Sequence, residues 1–262
     1  MLELIEKGQI SENHPRTILF VHGAWHGGWC WDENFLDFFA ARGFHVLAPS
    51  LRGHGSSPAD KPLRLCSIWD FVEDVASVVQ TLPAAPIMVG HSMGGFVVQK
   101  YLEAHHSPAG ILIASTPPRG QLGSLLRSMR QHPWRSSKFG FTGRPADLYK
   151  SPAQARELFF GDKASDSLVT TIAARLQPDS TRAIMFDMVV GNLIDTRKIR
   201  TPLMILGGEK DQIYSPHEVA ETARAYRTEP VLIPGMGHEL MIEPGWQTVA
   251  LQIESWLCQR GL

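Results

Sequence analysis

A serine hydroxyl is a weak nucleophile near neutral pH. It becomes useful when a base takes its proton and a carboxylate steadies that base. The chain carries such a set in Ser92, Asp211 and His238. Ser92 stands in Gly90-His91-Ser92-Met93-Gly94, a G-x-S-x-G segment directly after the apolar run Ile87–Val89 and directly before a helical pattern. That setting predicts a sharp strand-to-helix turn that lifts the hydroxyl above a sheet edge. Gly90 and Gly94 keep the turn uncrowded, and Gly95 lets the helix approach the sheet. The helix N-terminus favours negative charge developing beside Oγ.

Of 11 histidines, His238 stands apart because its loop, Pro234 to His238, follows the last apolar run, Val231–Ile233. Loops at the carboxyl ends of parallel strands are where open α/β sheets place their chemistry. Asp211 closes Gly207-Gly208-Glu209-Lys210-Asp211 after the run Leu203–Leu206 and is the favoured acid. Glu209 competes if the turn takes another shape, and Asp195 competes from the wrong end of that strand. A tetrahedral intermediate needs two aimed N–H donors, each worth roughly 3–4 kcal/mol when deleted. Met93, just after the serine, supplies one, and Ala24 in His22-Gly23-Ala24-Trp25 is the choice for the other. Gly23 and Trp25 are then the expected substrate-binding neighbours, and His22 is expected to brace the loop.

The elements that must position these residues follow a strand–loop–helix rhythm. Strands are expected at Thr17–Val21, His45–Ala48, Ile87–Val89, Ile111–Ala114, Leu203–Leu206 and Val231–Ile233. A helix over Trp31–Ala41 is expected to stop at Gly43, and another starts after Ser67, an N-cap with Asp70 in capping-box position. Strands alternating with helices imply right-handed βαβ units, a mostly parallel sheet and helices on both faces. Residues 120–195 break the rhythm with amphipathic segments at Ala153–Phe160, Ser167–Leu176 and Thr181–Val190, punctuated by Gly and Pro. They are read as a helical lid between a first core part, 1–119, and a second, 196–262. Side chains such as Phe139, Phe141, Phe159 and Met185 would partly line a pocket beneath it.

Composition excludes several classes. The 262 residues suit one globular α/β domain, and a net charge of −1 gives no footprint for nucleic acid or for an anionic membrane surface. The expected partner is a small, neutral or weakly charged molecule, with the protein a monomer or homodimer. The start of the chain lacks a basic n-region and an apolar h-region, and no run spans a bilayer. The three scattered cysteines, Cys30, Cys66 and Cys258, read as free thiols, so a cytoplasmic enzyme is expected. There is no phosphate-binding G-x-x-x-x-G-K-[ST] and no H-E-x-x-H or C-x-x-C, so neither cofactor nor metal is expected. His54, in Arg52-Gly53-His54-Gly55, is read as structural.

The HG near the end of the first strand, GHSMGG, G-x-x-x-D and GMGH together resemble the α/β-hydrolase superfamily over nearly the whole chain outside residues 120–195. HGAWHGGWCW is similar to a stretch of plant methyl esterases, and GMGHELMIEPGWQTVALQIESWL to bacterial lipase and lysophospholipase-like esterases. The resemblance implies the α/β-hydrolase fold with an inserted lid, and cofactor-free hydrolysis of small to medium esters, thioesters or lactones. Hydroxynitrile lyases related to the plant branch have a threonine at the position of Gly23 and a lysine at that of Glu239, which speaks against lyase chemistry. Trp25 departs from the plant pattern, where a smaller residue stands. C–C bond hydrolysis, perhydrolysis and a ligand-binding receptor with little turnover remain open on the same residues.

Overall fold

The structure, a computed structural model, describes residues 1–149 and 151–262, with the backbone alone at Phe141 and Pro145. Seven strands form one sheet: β1 Leu4–Lys7, β2 Ile18–Val21, β3 Val46–Pro49, β4 Ile87–His91, β5 Gly110–Ile113, β6 Leu203–Gly208 and β7 Pro230–Ile233. Their order is β1-β3-β2-β4-β5-β6-β7. Only β1 runs antiparallel, pairing with β3. This is the α/β-hydrolase architecture. The central strands β2 to β6 are buried along their whole length, as their uninterrupted apolar runs require. Strand β1 alternates between exposed and half-buried residues at the sheet edge, so it offers no apolar run by which to find it.

Ser67 caps the helix α3, Ile68–Val79, and both hydrogen bonds of the capping box with Asp70 are made. Where one helix was expected over Trp31–Ala41, the chain forms α1 Trp29–Asp32 and α2 Phe35–Ala40. Asn34, at φ −151°, leaves helical geometry between them. Phe20 gathers Trp31 and Phe39 at ring distances of 5.0 and 5.8 Å, so both short helices share one aromatic core.

Helix α4 (Met93–Leu102) follows β4. Between β5 and β6 lie α5 Leu122–Gln131, α6 Pro133–Thr142, α7 Pro152–Phe159, α8 Asp166–Arg175 and a π-helix, Ala183–Gly191. The last three match the expected amphipathic segments; α5 and α6 are additional. Helices α9 Pro216–Ala225 and α10 Trp246–Cys258 complete the chain. Strand register aligns Val21 with Gly90 and Gly208 with Ile233, so the loops after β2, β4, β6 and β7 leave the sheet on one side. Among the described residues no helix is long and apolar enough to cross a membrane. Cys30 and Cys66 are buried free thiols and Cys258 is exposed.

Candidate active site

Ser92 sits between β4 and α4 at φ +52° and ψ −119°, a conformation that is costly for a residue with a side chain. The turn tolerates nothing bulky nearby. A Cβ on Gly90 would lie 2.6 Å from Gly94 O, and one on Gly94 would lie 2.3 Å from Val21 O and His22 O. The strained residue is held by its own backbone: its N–H donates to Ile113 O at 3.1 Å, and its carbonyl accepts from Thr116 N at 3.1 Å. A Cβ on Gly23 would lie 2.9 Å from Ser92 Cβ and 2.7 Å from His91 Nδ1. Gly23 therefore sets how closely the β2 loop approaches the serine.

Asp211 and His238 meet: Nδ1–H donates to Asp211 Oδ2 at 2.8 Å, with both side chains buried. Asp211 Oδ1 accepts from the N–H groups of Ile213 and Tyr214 at 2.7 and 3.0 Å. With both carboxylate oxygens engaged and Nδ1 carrying the proton, the lone pair of the imidazole is on Nε2. Burial alone would depress the histidine, yet the Asp211 carboxylate outweighs it, with help from Glu239 and Glu243, and raises His238 above its ordinary value. The His238 N–H donates to Phe159 O at 2.9 Å, and the ring of His91 donates from Nε2 to His238 O at 3.0 Å.

No hydrogen bond joins the Ser92 hydroxyl to the His238 ring among the described residues; the serine side chain lies beside the Tyr214 hydroxyl instead. Catalytic hydrogen bonds are often long in unliganded sites. Tyr214 donates to Gln121 Oε1 at 2.8 Å and contacts Thr116 Oγ1 at 2.6 Å, and Gln121 is oriented by donating from Nε2 to Ile184 O at 2.6 Å. Burial pushes the Tyr214 phenol well up, so it stays protonated.

The other expected residues also have definite places. The N–H groups of Ala24 and Met93 make no hydrogen bond within the protein among the described residues. Trp25 N–H, next in line, is already taken by Asp179 Oδ2 at 2.7 Å. His22 braces the loop: Nε2 accepts from Leu51 N at 3.0 Å, and Nδ1–H donates to Gly23 O at 2.8 Å. His54 faces Asp179 Oδ2 at 3.0 Å, away from Ser92's partners. Glu209 accepts from Gly235 N, and Asp195 pairs with Arg197, so neither reaches His238.

Four supporting groups were not found in the sequence. Asp179 and Tyr214 are two. The other two are buried carboxylates beside the His238 loop. Glu239 Oε2 lies 3.3 Å from His26 Nε2, while His26 Nδ1 reaches Ala24 O at 2.8 Å. Burial would raise Glu239, but His26 and the neighbouring histidines hold it down at about 2. Glu243 accepts from Gly161 N at 2.7 Å and Gly237 N at 3.0 Å; burial outweighs those bonds and pushes it up to about 7.

A cavity of about 680 Å³ opens between the helices that follow β5, lined by Trp25, Leu125, Phe139, Leu158, Ile184 and Ile213 among others. Trp25, Gln121 and Ile213 are its links to the residues around Ser92 and Asp211. Phe139 and Phe159 hold the Trp25 ring edge-on, each at 5.6 Å. Phe139 and Met185 face the cavity or its lining as expected, and Phe159 packs against Trp25; the side chain of Phe141 lies outside the described residues. Among the described residues, no group of three His, Cys, Asp or Glu side chains is arranged to hold a metal ion.

A strained serine after the central strand, an Asp–His pair on the loops after β6 and β7 and two free N–H groups define a fold-and-site pattern shared by many hydrolases. The sequence profile of the α/β hydrolase family matches residues 18–250, and the chain belongs to that family. It is 28% identical over 228 residues to a bifunctional esterase/perhydrolase of Acinetobacter calcoaceticus, covering 78% of this chain and 77% of the other. It is 25% identical to methylesterase 18 of Arabidopsis thaliana, covering 79% and 82%. Among solved structures, a thermophilic esterase from Thermogutta terrifontis superposes with a TM-score of 0.77 at 18% identity, covering 100% of this chain and 94% of that one.

Proposed function

We propose that the protein is a serine carboxylic-ester hydrolase that works through an acyl-enzyme. The observation that carries the reading is the 2.8 Å Asp211–His238 bond beside a serine held at φ +52°. In this reading Ser92 Oγ turns from Tyr214 toward His238 Nε2, which takes its proton as Oγ attacks the ester carbonyl. The oxyanion is received by the free N–H groups of Ala24 and Met93. His238 then gives its proton to the leaving alcohol, and water repeats the sequence to release the acid. The Asp211 side chain holds Nδ1 and steadies the imidazolium.

Residues 120–195 act as the cap of this site, and the cavity of about 680 Å³ is within the size range of small-molecule pockets. Its lining mixes apolar side chains such as Trp25, Phe139 and Leu158 with polar ones such as Gln121, His132 and Gln212, which suits small to medium esters, thioesters or lactones. Likeness to relatives named esterase and methylesterase supports the same reaction class. The name of the Acinetobacter relative favours perhydrolysis as a second reaction on the same acyl-enzyme, with peroxide in place of water. The test is a chain-length series of p-nitrophenyl esters with the wild type and Ser92→Ala. A burst of one nitrophenolate per chain is expected from the wild type and none from Ser92→Ala. A variant that retains wild-type turnover would overturn the reading.

A further inference from the structure

The chain-wide charge of −1 conceals a local imbalance. Residues 119–146 contain six Lys or Arg (Arg119, Arg127, Arg130, Arg135, Lys138 and Arg144) and no Asp or Glu, in a chain whose totals are 25 and 26. Arg119, Arg127 and Lys138 are paired with Glu221, Glu218 and Asp147. Arg130, Arg135 and Arg144 form no ion pair among the described residues.

The same segment exposes large apolar side chains. Leu122, Leu126 and Met129 are 48%, 58% and 48% exposed, and they stand at i, i+4 and i+7 on α5, which puts them in one stripe. Trp134, at the start of α6, is 87% exposed. Met129 belongs both to this stripe and to the cavity wall, together with Gln131, His132 and Arg135. The stripe therefore runs into the mouth of the cavity, with Arg130 one turn beyond Leu126 on the same helix.

Leucine, methionine and tryptophan side chains set among unpaired cations are the composition of helices that lie flat in a lipid interface. A neutral protein partner would account for the apolar stripe but not for Arg130 and Arg135, which form no ion pair among the described residues. We propose that α5 and the start of α6 dock on an anionic lipid surface, with Leu122, Leu126, Met129 and Trp134 entering the headgroup layer and Arg130, Arg135 and Arg144 facing lipid phosphates. Docked so, the cavity mouth opens toward the lipid, and an ester of amphipathic character passes directly from it to the pocket. The docking itself does not depend on the ester-hydrolase reading; only this substrate class does.

The full chain is tested by co-sedimentation with vesicles of phosphatidylcholine alone and of phosphatidylcholine with phosphatidylglycerol, at low and high NaCl. The wild type is expected in the pellet with the anionic vesicles and to be released by salt. Arg130→Glu is expected to lower the partition roughly 30-fold, at about fivefold per cation changed. Leu126→Ser with Trp134→Ser is expected to lower it about tenfold or more. None of these residues lines the cavity, so turnover of dissolved p-nitrophenyl acetate and the circular dichroism spectrum should stay at wild-type values. Wild type left in the supernatant at low salt, or equal binding to both lipids, would overturn the proposal. So would a wild-type dimer that Leu126→Ser with Trp134→Ser turns into a monomer, since that result assigns the stripe to a second copy. Vesicle binding without any ester turnover would leave the docking in place and remove the hydrolase reading; turnover without binding would do the reverse.

Discussion

Asp179, between α8 and the π-helix, accepts the Trp25 backbone N–H at 2.7 Å and so holds Trp25 at φ +70°. The same oxygen faces His54 Nε2 at 3.0 Å, and both side chains are fully buried. Burial works against a charged His54, but Asp179 outweighs it and raises the ring above its ordinary value. One carboxylate thus fixes the loop that carries Ala24 and neutralises a buried histidine.

Asp179→Ala should cost about 3–5 kcal/mol of stability, the range for breaking a buried pair from one side. It should also lower kcat/KM for p-nitrophenyl acetate by roughly 10–100-fold, because the Ala24 N–H loses its aim. Asp179→Asn keeps an oxygen for Trp25 and should retain more activity than the alanine variant. Urea denaturation and steady-state kinetics on both variants check this. Equal activity in the two would mean that other contacts hold the loop.

Gly23→Ala puts a methyl group 2.7 Å from His91 Nδ1 and 2.9 Å from Ser92 Cβ. Neither neighbour is the end of a flexible chain, so the loop must shift outward. A fall in kcat of about 10²-fold is expected, with a stability cost of about 1–3 kcal/mol. Comparing kcat with the thermal midpoint separates a misplaced loop from general unfolding.

In the proposed mechanism attack by Ser92 requires a neutral His238, and the folded protein raises this ring above 6.5. The acidic limb of kcat/KM should therefore lie above 6.5, with activity lost as pH falls through it. Asp211→Asn removes the strongest contribution that raises the ring, so the limb should move to lower pH. The same change should lower kcat by about 10³–10⁴-fold, since the amide no longer fixes the reactive tautomer. A limb that stays in place would assign it to another group.

Glu243 reaches about 7 in the folded protein against 4.5 for an unperturbed glutamate. Between these values the folded state holds a proton that the unfolded chain has lost, so stability falls as pH rises through this window. The expected loss is on the order of 2–3 kcal/mol. Glu243→Gln keeps an oxygen for Gly161 N–H and Gly237 N–H without the charge, and it should flatten this dependence and be more stable than wild type at pH 8. Denaturation curves across pH 4 to 8 for both proteins test it.

The sequence identified what local chemistry marks. Ser92 is announced by glycines that the turn demands, and Asp211 and His238 by their place just past apolar runs. The Ser67–Asp70 box also forms as its spacing predicts. What stayed hidden depends on distance along the chain. Trp25 and Asp179 are 154 residues apart, and no pattern near either one announces the other. Glu239 and Glu243 look like ordinary surface acids until the fold buries them. Strand β1 was lost because half of it faces solvent, and the break at Asn34 because the aromatic periodicity runs on past it. Helix α5 was missed for a related reason: Leu122, Leu126 and Met129 lie on its exposed side, where no core-facing stripe would place them.

The carbonyl of Phe159, at the end of α7, accepts from both His238 N and Glu239 N, at 2.9 and 3.2 Å. The inserted segment therefore braces the His238 loop as well as lining the cavity. Trimming it back to a bare sheet, or exchanging it whole for the corresponding piece of a relative, would unseat the imidazole along with the ligand chamber. Engineering aimed at new substrates is better confined to α5 and α6, leaving the end of α7 and the following Gly161 untouched.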